Sequence, residues 1–133
     1  MRKYSIFSLL GILAWAVFAF KITAEAESLH PGTWSNELES KMTITSISPD
    51  GMIRGTYTTN VGCDANKPQP LIGWYYENGK VGAITFSVIW KDCFSVTSWS
   101  GEYEKNTEAF QTLWHLVSLE NPSWKAINAG TER

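Results

Sequence analysis

Apolar and polar residues alternate along most of the chain after residue 31, and this pattern predicts short β-strands. Apolar spacing typical of an amphipathic helix is not found there. Eight strand-like runs are separated by turn signals, at 32–38, 41–48, 53–60, 70–77, 80–91, 94–104, 109–119 and 123–131. Eight short strands at regular spacing predict an all-β fold, either a sandwich or an antiparallel up-and-down barrel.

Two turns carry the clearest signals. Residues 48–51 read Ser-Pro-Asp-Gly, and residues 77–80 contain Asn-Gly, a pair typical of tight hairpins. Longer loops are expected at 61–69 and near 91–94. The Asn-Gly pair therefore predicts a hairpin between the runs 70–77 and 80–91.

Several predicted strand faces mix tryptophan with polar side chains. Alternate residues of a strand point to the same side. The sets expected to share a face are Asn36 with Leu38 and Ser40, Tyr57 with Thr59, Ser95 with Thr97 and Trp99, and Trp114 with Leu116. Buried hydroxyl and amide groups need hydrogen-bond partners. Either these groups satisfy one another, or a ligand satisfies them.

The first 26 residues are interpreted as a secretory signal peptide rather than part of the fold. Arg2 and Lys3 precede the uncharged run 5–20, and Ala24-Glu25-Ala26 follows it as a cleavage motif. The alternative is a membrane anchor, but the apolar run is short for a span of about 20 residues. Residues 27–133 are then one secreted domain, large enough for a single core.

Charge and motif searches narrow the function classes. The chain has 11 Lys and Arg against 13 Asp and Glu, with no basic block, so a nucleic-acid partner is not expected. No cluster with metal-ligand spacing and no nucleophile–base set is recognised, so neither a metal site nor an enzyme is predicted. His30 and the turn residues Asp50, Asp64 and Asp92 are interpreted as solvated.

Two cysteines, Cys63 and Cys93, lie after the leader. An even count in a secreted chain favours a disulfide. The alternative is a pair of free, buried thiols.

Tryptophan is unusually frequent: the chain has seven, and six lie outside the N-terminal apolar run. Indole mixed with hydroxyl groups is poor packing for a dry core, but it suits a small, flat, partly polar ligand. Trp34 is expected to pack at the barrel base, and Trp74 to lie on the surface or at a subunit interface.

Six sequence blocks resemble those of the avidin family in their order and spacing. The blocks are Gly32–Leu38, Gly55–Thr59, Ile89–Lys91, Thr97–Gly101, Thr112–Trp114 and Trp124–Ala126. The resemblance spans residues 32–132. It implies an eight-stranded antiparallel up-and-down β-barrel that binds biotin, without enzymatic activity or cofactor, and assembles as a homotetramer.

The resemblance also implies a ligand role for each matching residue. Asn36, Ser40 and Tyr57 match the donors to the ureido oxygen, and Thr59 matches an acceptor for a ureido N–H. The remaining matches are apolar or aromatic walls, tail contacts and a second ureido acceptor: Leu38, Gly62, Cys63, Trp90, Ser95, Thr97, Trp99, Trp114, Leu116 and Glu132. Trp124 matches an indole that reaches into the neighbouring subunit's pocket.

Some positions depart from the family pattern or add to it. Glu39 stands where the family usually has glycine, and Glu132 where it has Asp or Asn. The resemblance places Cys63 and Cys93 in two loops over the pocket mouth, like the loop-tethering bridge of some bacterial avidins.

Two other binding classes remain as alternatives. A lipocalin-like barrel would carry a different small apolar ligand, and Gly32-Thr33-Trp34 fits the start of that family too. Such a pocket would need fewer convergent donors. A carbohydrate-binding module would place its tryptophans on an open surface.

Overall fold

The computed structural model describes residues 26–120 and 127–132, with Gly130 as the one residue after 120 whose surroundings are described. The predicted leader, apart from Ala26, lies outside the described residues, and so does Trp124. Within the described ranges, no helix has the length and apolar character needed to cross a membrane.

Eight antiparallel strands form one sheet in sequential order, as predicted. They are β1 (Gly32–Ser35), β2 (Lys41–Ile47), β3 (Met52–Thr58), β4 (Gln69–Asn78), β5 (Val81–Trp90), β6 (Ser95–Glu104), β7 (Ala109–Ser118) and β8 (Ile127–Glu132). Each strand pairs with the next one in the chain, which is the up-and-down arrangement of an avidin-like barrel.

The sheet is so strongly curved that its first strand contacts its seventh. The indole Nε1 of Trp34 in β1 donates a hydrogen bond of 2.9 Å to the backbone oxygen of Glu108. The same indole lies edge-on to Phe110 of β7, with ring centroids 5.1 Å apart. Trp34 therefore packs at the base of the barrel, as expected.

The hydrophobic core lies on the concave side of the sheet. In β5, for example, buried and exposed residues alternate strictly. Ile84, Phe86, Val88 and Trp90 point inward, while the residues between them are exposed. Period-two patterning of this kind fixes which face of a sheet is buried, since a slip by one residue would reverse it.

The hairpin between β4 and β5 forms where the Asn-Gly signal predicts it. The pairing of Asn78 with Val81 leaves a loop of two residues, Gly79 and Lys80. Of these two, Gly79 has the positive φ, of 65°. Glycine occupies such a backbone conformation without steric cost.

The first predicted run extends too far. β1 ends at Ser35 rather than at residue 38, because the chain turns over residues 36–40. The side-chain oxygen of Asn36 accepts hydrogen bonds from the backbone N–H groups of Leu38 and Ser40, both at 3.0 Å. A short polar side chain that bonds nearby amides competes with strand pairing in this way.

Polar side chains close the end of the barrel at which β4 meets β5. Lys105 is buried, and its Nζ lies 3.0 Å from Oε2 of Glu77. The hydroxyl of Tyr75 donates to the same carboxylate at 2.7 Å. This hydrogen bond is the main reason why the pKa of Glu77 lies below its usual value, and the ion pair with Lys105 lowers it further. The opposite end is left for the site.

Candidate functional site

A cavity of about 390 Å³ opens at the end of the barrel formed by the turn 36–40 and the loops 59–68 and 91–94. This volume suits a small ligand. The predicted ligand residues that line it are Asn36, Leu38, Ser40, Tyr57, Thr59, Gly62, Cys63, Trp90, Ser95, Thr97, Trp99, Trp114 and Leu116. The structure therefore brings together residues from six segments of the chain.

Aromatic rings form the inner wall of the cavity. Tyr57 and Trp99 are both buried, with ring centroids 4.8 Å apart, and Trp90 lies edge-on to Tyr57 at 6.0 Å. Behind them Phe86 stacks on Trp99 at 4.8 Å with an interplanar angle of 12°. Packing against one another holds these rings before any ligand enters.

The side-chain amide nitrogen of Asn36 is available to donate hydrogen bonds to a ligand, because only the side-chain oxygen is used by the turn. Its side-chain oxygen already accepts the two backbone amides of the turn. Since the oxygen is held in this way, the orientation of the amide is fixed by its surroundings. The two N–H bonds of Nδ2 are then the groups that a ligand in the cavity can use.

The hydroxyl groups of Ser40 and Thr59 have opposite hydrogen-bonding roles left for a ligand. The hydroxyl oxygen of Ser40 accepts the backbone N–H of Asn60 at 3.2 Å, which leaves its own proton for donation. The hydroxyl of Thr59 donates to the backbone oxygen of Val61 at 2.9 Å and accepts the Val61 N–H at 3.2 Å. Because the Thr59 hydroxyl already donates its hydrogen to Val61, it can only accept a hydrogen bond from a ligand.

The face of β6 confirms the predicted alternation. Ser95, Thr97 and Trp99 are all buried and all line the cavity. The hydroxyl of Thr97 accepts a hydrogen bond of 2.9 Å from Nε1 of Trp90. This bond joins β5 to β6 and satisfies the Trp90 indole inside the wall.

The indole N–H of Trp99 is a donor that sequence reasoning missed. Trp99 is 3% exposed, and its Nε1 has no hydrogen-bond partner among the residues that the structure describes. The family resemblance assigned Trp99 to the wall, and alternation in the strand shows which face its ring occupies but not what its nitrogen meets. A buried N–H without a partner is costly.

Trp114 pairs with Gly130 of β8, and its indole occupies the space that a side chain at Gly130 would need. A Cβ at Gly130 would lie 2.4 Å from Nε1 of the Trp114 indole, so a larger residue there would displace the ring. Leu116, two residues further along β7, is half-buried and lines the same cavity.

Leu38 lies at the rim rather than inside the barrel. Its side chain is 53% exposed, although it lines the cavity. Because residues 36–40 form a turn, Leu38 reaches the cavity from its rim and not as a residue of the predicted strand 32–38.

A disulfide joins Cys63 to Cys93, with their Cα atoms 6.0 Å apart. Cys63 lies in the loop after β3, and Cys93 ends the short 3₁₀ helix Lys91–Cys93 after β5. The bridge therefore ties two of the segments around the mouth, which agrees with the expectation of a bond rather than free thiols.

Asp64 is not solvated, contrary to expectation. It is 2% exposed and lines the cavity beside the disulfide. Its carboxylate faces Nζ of Lys67 at 3.5 Å, and the same ammonium lies 3.1 Å from the exposed carboxylate of Asp92. A turn position in the sequence gave no sign of this burial, because Asp64 packs against Cys93, 29 residues away, whose Sγ lies 3.5 Å from Oδ2 of Asp64.

His30 is exposed, as expected, and it also contacts the barrel. Its Nε2 lies 2.8 Å from Oε1 of Glu108, and Glu27 completes an exposed group of ligand-type atoms. The pKa of His30 is raised, first by its hydrogen bond to the backbone oxygen of Pro31 and next by Glu108. Glu108 is 78 residues away in the chain, so no spacing motif could have revealed this group.

The fold and cavity agree with comparisons to known proteins. The Avidin family matches residues 24–133 of this chain. The chain belongs to the avidin family. Avidin of Gallus gallus is 36% identical over 132 residues, which cover 92% of this chain and 86% of avidin.

Solved avidin-family structures share the fold. Core-bradavidin is 40% identical with a TM-score of 0.71, over 77% of this chain and 96% of that one. A shwanavidin variant in complex with biotin is 32% identical with a TM-score of 0.69, over 80% of this chain and 96% of that one. With the avidin family established, the lipocalin interpretation has no support, and the buried Trp90 and Trp99 argue against a flat carbohydrate surface.

Two predicted site residues of this avidin-family chain are not placed. Glu132 pairs with Thr112 in the ladder between β8 and β7, but its side chain is not described. Trp124 lies outside the described residues. Their roles as second ureido acceptor and neighbouring-subunit indole remain predictions.

Proposed function

We propose that this avidin-family protein binds biotin in the cavity at the open end of its barrel. The observation that carries the proposal is the arrangement of donors and acceptors around the aromatic wall. Asn36 and Ser40 have protons to donate, whereas Thr59 has only a lone pair. A ureido group needs both kinds of partner, since its oxygen accepts and its N–H groups donate.

The ureido oxygen of biotin receives hydrogen bonds from Asn36, Ser40 and the hydroxyl of Tyr57. A ureido N–H donates to Thr59, and the proposed second acceptor is Glu132. Ser95, Thr97 and the amides at Gly62 and Cys63 contact the tail and the sulfur region. Trp90, Trp99, Trp114, Leu38 and Leu116 enclose the apolar parts.

Preorganisation supports tight binding at this site. The donors are fixed by backbone contacts and the rings by one another, so little conformational entropy is lost when the ligand arrives. Walls that exclude water strengthen each hydrogen bond within the cavity. The role of the protein is sequestration or storage of biotin, as a binder and not an enzyme.

The test replaces Tyr57 with phenylalanine. Tyr57→Phe keeps the ring and removes the hydroxyl, so we expect biotin binding to weaken by about 1–3 kcal/mol. The matched control is Tyr76→Phe, because Tyr76 is 77% exposed on the outer face of β4. Isothermal titration of both variants with biotin measures the difference. Equal affinities for both variants would remove Tyr57 from the proposed site.

A homotetramer is part of the proposal, supported by the outer surface of the barrel. Ile89, Val96 and Val117 lie in register on β5, β6 and β7, and all three are exposed. Phe94 and Leu119 extend this exposed apolar face toward the open end. A contiguous exposed patch of this kind marks an interaction surface. Trp124, which follows β7, is then presented to the cavity of a neighbouring subunit.

Secretion is the remaining part of the proposal. Residues 1–26 carry the signal-peptide pattern, and a disulfide such as Cys63–Cys93 persists in an oxidising compartment.

A further inference from the structure

A histidine and two carboxylates meet at the closed end of the barrel. Nε2 of His30 lies 2.8 Å from Oε1 of Glu108 and 3.5 Å from Oε2 of Glu27. These three atoms all lie within 4.8 Å of one another, and none of the three residues lines the proposed biotin cavity. Two ligand atoms that share a tetrahedral zinc ion, at bond lengths of about 2.0–2.2 Å, are roughly 3.3–3.6 Å apart. The spacing of the three atoms therefore suits a small divalent ion.

The ring of His30 has the orientation that a metal-binding histidine needs. Its Nδ1 lies 3.0 Å from the backbone oxygen of Pro31. A carbonyl oxygen only accepts, so Nδ1 carries the hydrogen and donates it. In the neutral ring, Nε2 then has a lone pair that faces two carboxylates, and this arrangement is repulsive unless a proton or a cation lies between them. A hydrogen bond from the other ring nitrogen to a backbone carbonyl is the usual companion of metal ligation.

The fold holds all three ligands in place. Leu29, next to His30 in the chain, is buried in the core, and the hydroxyl of Ser28 donates to Oε1 of Glu77 at 2.8 Å. On the other side, the backbone oxygen of Glu108 accepts the hydrogen bond from the Trp34 indole. Ligands that are fixed by packing and by backbone contacts lose little conformational freedom when an ion binds.

A buried hydroxyl beside this group has no hydrogen-bond partner in the part of the chain that the structure describes. Tyr103 is 0% exposed, and it is the Oη of this residue that is unpaired. Burial raises the pKa of the Tyr103 hydroxyl, and the nearby carboxylates of Glu108 and Glu27 raise it further. An unpaired buried hydroxyl is costly. A water molecule bound to an ion between Glu27 and Glu108 would supply the missing partner.

We propose that Glu27, His30 and Glu108 bind a divalent transition-metal ion such as Zn²⁺. The ligand atoms are Nε2 of His30 and one oxygen of each glutamate, and water completes the coordination. Imidazole together with carboxylate suits an ion of this class. The inference goes beyond the proposed function and does not depend on it, because the two sites share no residue. The ion joins the N-terminal segment to the turn between β6 and β7, and so it stabilises the folded barrel.

The experiment titrates zinc chloride into the purified protein, without a histidine tag, by isothermal calorimetry. We expect saturable binding of one ion per chain. His30→Gln and Glu27→Gln should each weaken binding by about ten-fold or more, since even the loss of a group that only orients a ligand costs about 10–100-fold. The matched controls are His115→Gln and Glu102→Gln, which remove the same side chains from exposed positions of β7 and β6. Both controls should bind zinc as the wild-type protein does.

Nuclear magnetic resonance identifies the ligand atom. In ¹⁵N spectra of the histidine rings, zinc should shift Nε2 of His30 and leave Nδ1 protonated, because Nδ1 donates to Pro31. The spectrum of His115, the other histidine of the chain, should not change.

Thermal unfolding measures the link to stability. Zinc at about a hundred times its Kd should raise the melting temperature by about 5–10 °C. A chelator should reverse this rise, and His30→Gln should abolish it.

Three results would overturn the inference: no zinc binding, binding that survives His30→Gln or Glu27→Gln undiminished, or coordination by His115 instead. Each would mean that Glu27, His30 and Glu108 form a surface ion pair only. Circular dichroism of the variants shows that they are folded, and all three altered glutamates and histidines are exposed, so loss of zinc binding is not loss of the fold. Zinc binding without biotin binding would overturn the proposed function and leave this inference intact.

Discussion

Glu39 has a backbone conformation that disfavours a side chain. Its φ is 61°, in the left-handed region, and it directly precedes Ser40 of the site. Glycine avoids the clash that an L-residue meets there. We expect Glu39→Gly to raise the free energy of unfolding by up to about 1 kcal/mol, measured by chemical denaturation.

The neighbouring Glu37 supplies the control for this substitution. Glu37 is also exposed, but it has no positive φ. Glu37→Gly should therefore lower stability slightly, since glycine gains freedom in the unfolded chain. A Glu39→Gly variant that is destabilised as much as Glu37→Gly would contradict this account of the turn.

At the scale of residues, the sequence located most of the candidate site but not the state of its polar atoms. Ser95, Thr97 and Trp99 were predictable because alternation in a regular strand fixes their common face. The opposite hydrogen-bonding roles of the Ser40 and Thr59 hydroxyls were not predictable, since they depend on backbone contacts with Asn60 and Val61. Asp64 is likewise buried where a residue distant in the chain, Cys93, packs against it.

At the scale of elements, the disulfide is expected to restrain the mouth. Cys63–Cys93 ties the loop after β3 to the short helix after β5, and both flank the cavity. Closing a loop of this length stabilises a fold by about 2–4 kcal/mol. Reduction should therefore lower the melting temperature and speed the dissociation of biotin. Differential scanning calorimetry and biotin-release kinetics, each with and without reductant, measure the two effects.

A double variant controls for side effects of the reductant. In Cys63→Ser/Cys93→Ser, melting temperature and release rate should no longer respond to reductant. If reduction of the wild-type protein changes stability but not release, the bridge stabilises the fold without restraining ligand exit.

Strand boundaries show where pattern reasoning reaches its limit. β5 and β6 lie within a residue of their predicted bounds, because long alternating runs determine both type and register. β1 is three residues shorter than its predicted run 32–38, since the side chain of Asn36 redirects the backbone. Local hydrogen bonds of this kind are invisible to hydrophobic periodicity.

At the scale of the whole molecule, binding and assembly are expected to depend on each other. The proposed tetramer covers the apolar face around Val96 and Val117 and brings Trp124 to a neighbouring cavity. Trp124→Ala should weaken biotin binding and loosen the tetramer together. Light scattering and biotin titration of the same preparation test both. A wild-type monomer that keeps full affinity would contradict the shared site.

The fold of one chain could be predicted from the sequence more fully than the quaternary structure. Eight alternating runs left a sandwich or an up-and-down barrel open, and the resemblance to the avidin family favoured the barrel. Quaternary structure is different, because an exposed Ile89 or Val117 has the same local pattern whether or not a partner covers it.

The central claim is tested most directly by calorimetric titration of the wild-type protein with biotin. The donors and acceptors around Trp90 and Trp99 predict exothermic, saturable binding of one biotin per chain, tight enough to be complete at micromolar ligand. An absence of binding by folded, disulfide-intact protein at micromolar biotin would contradict the account.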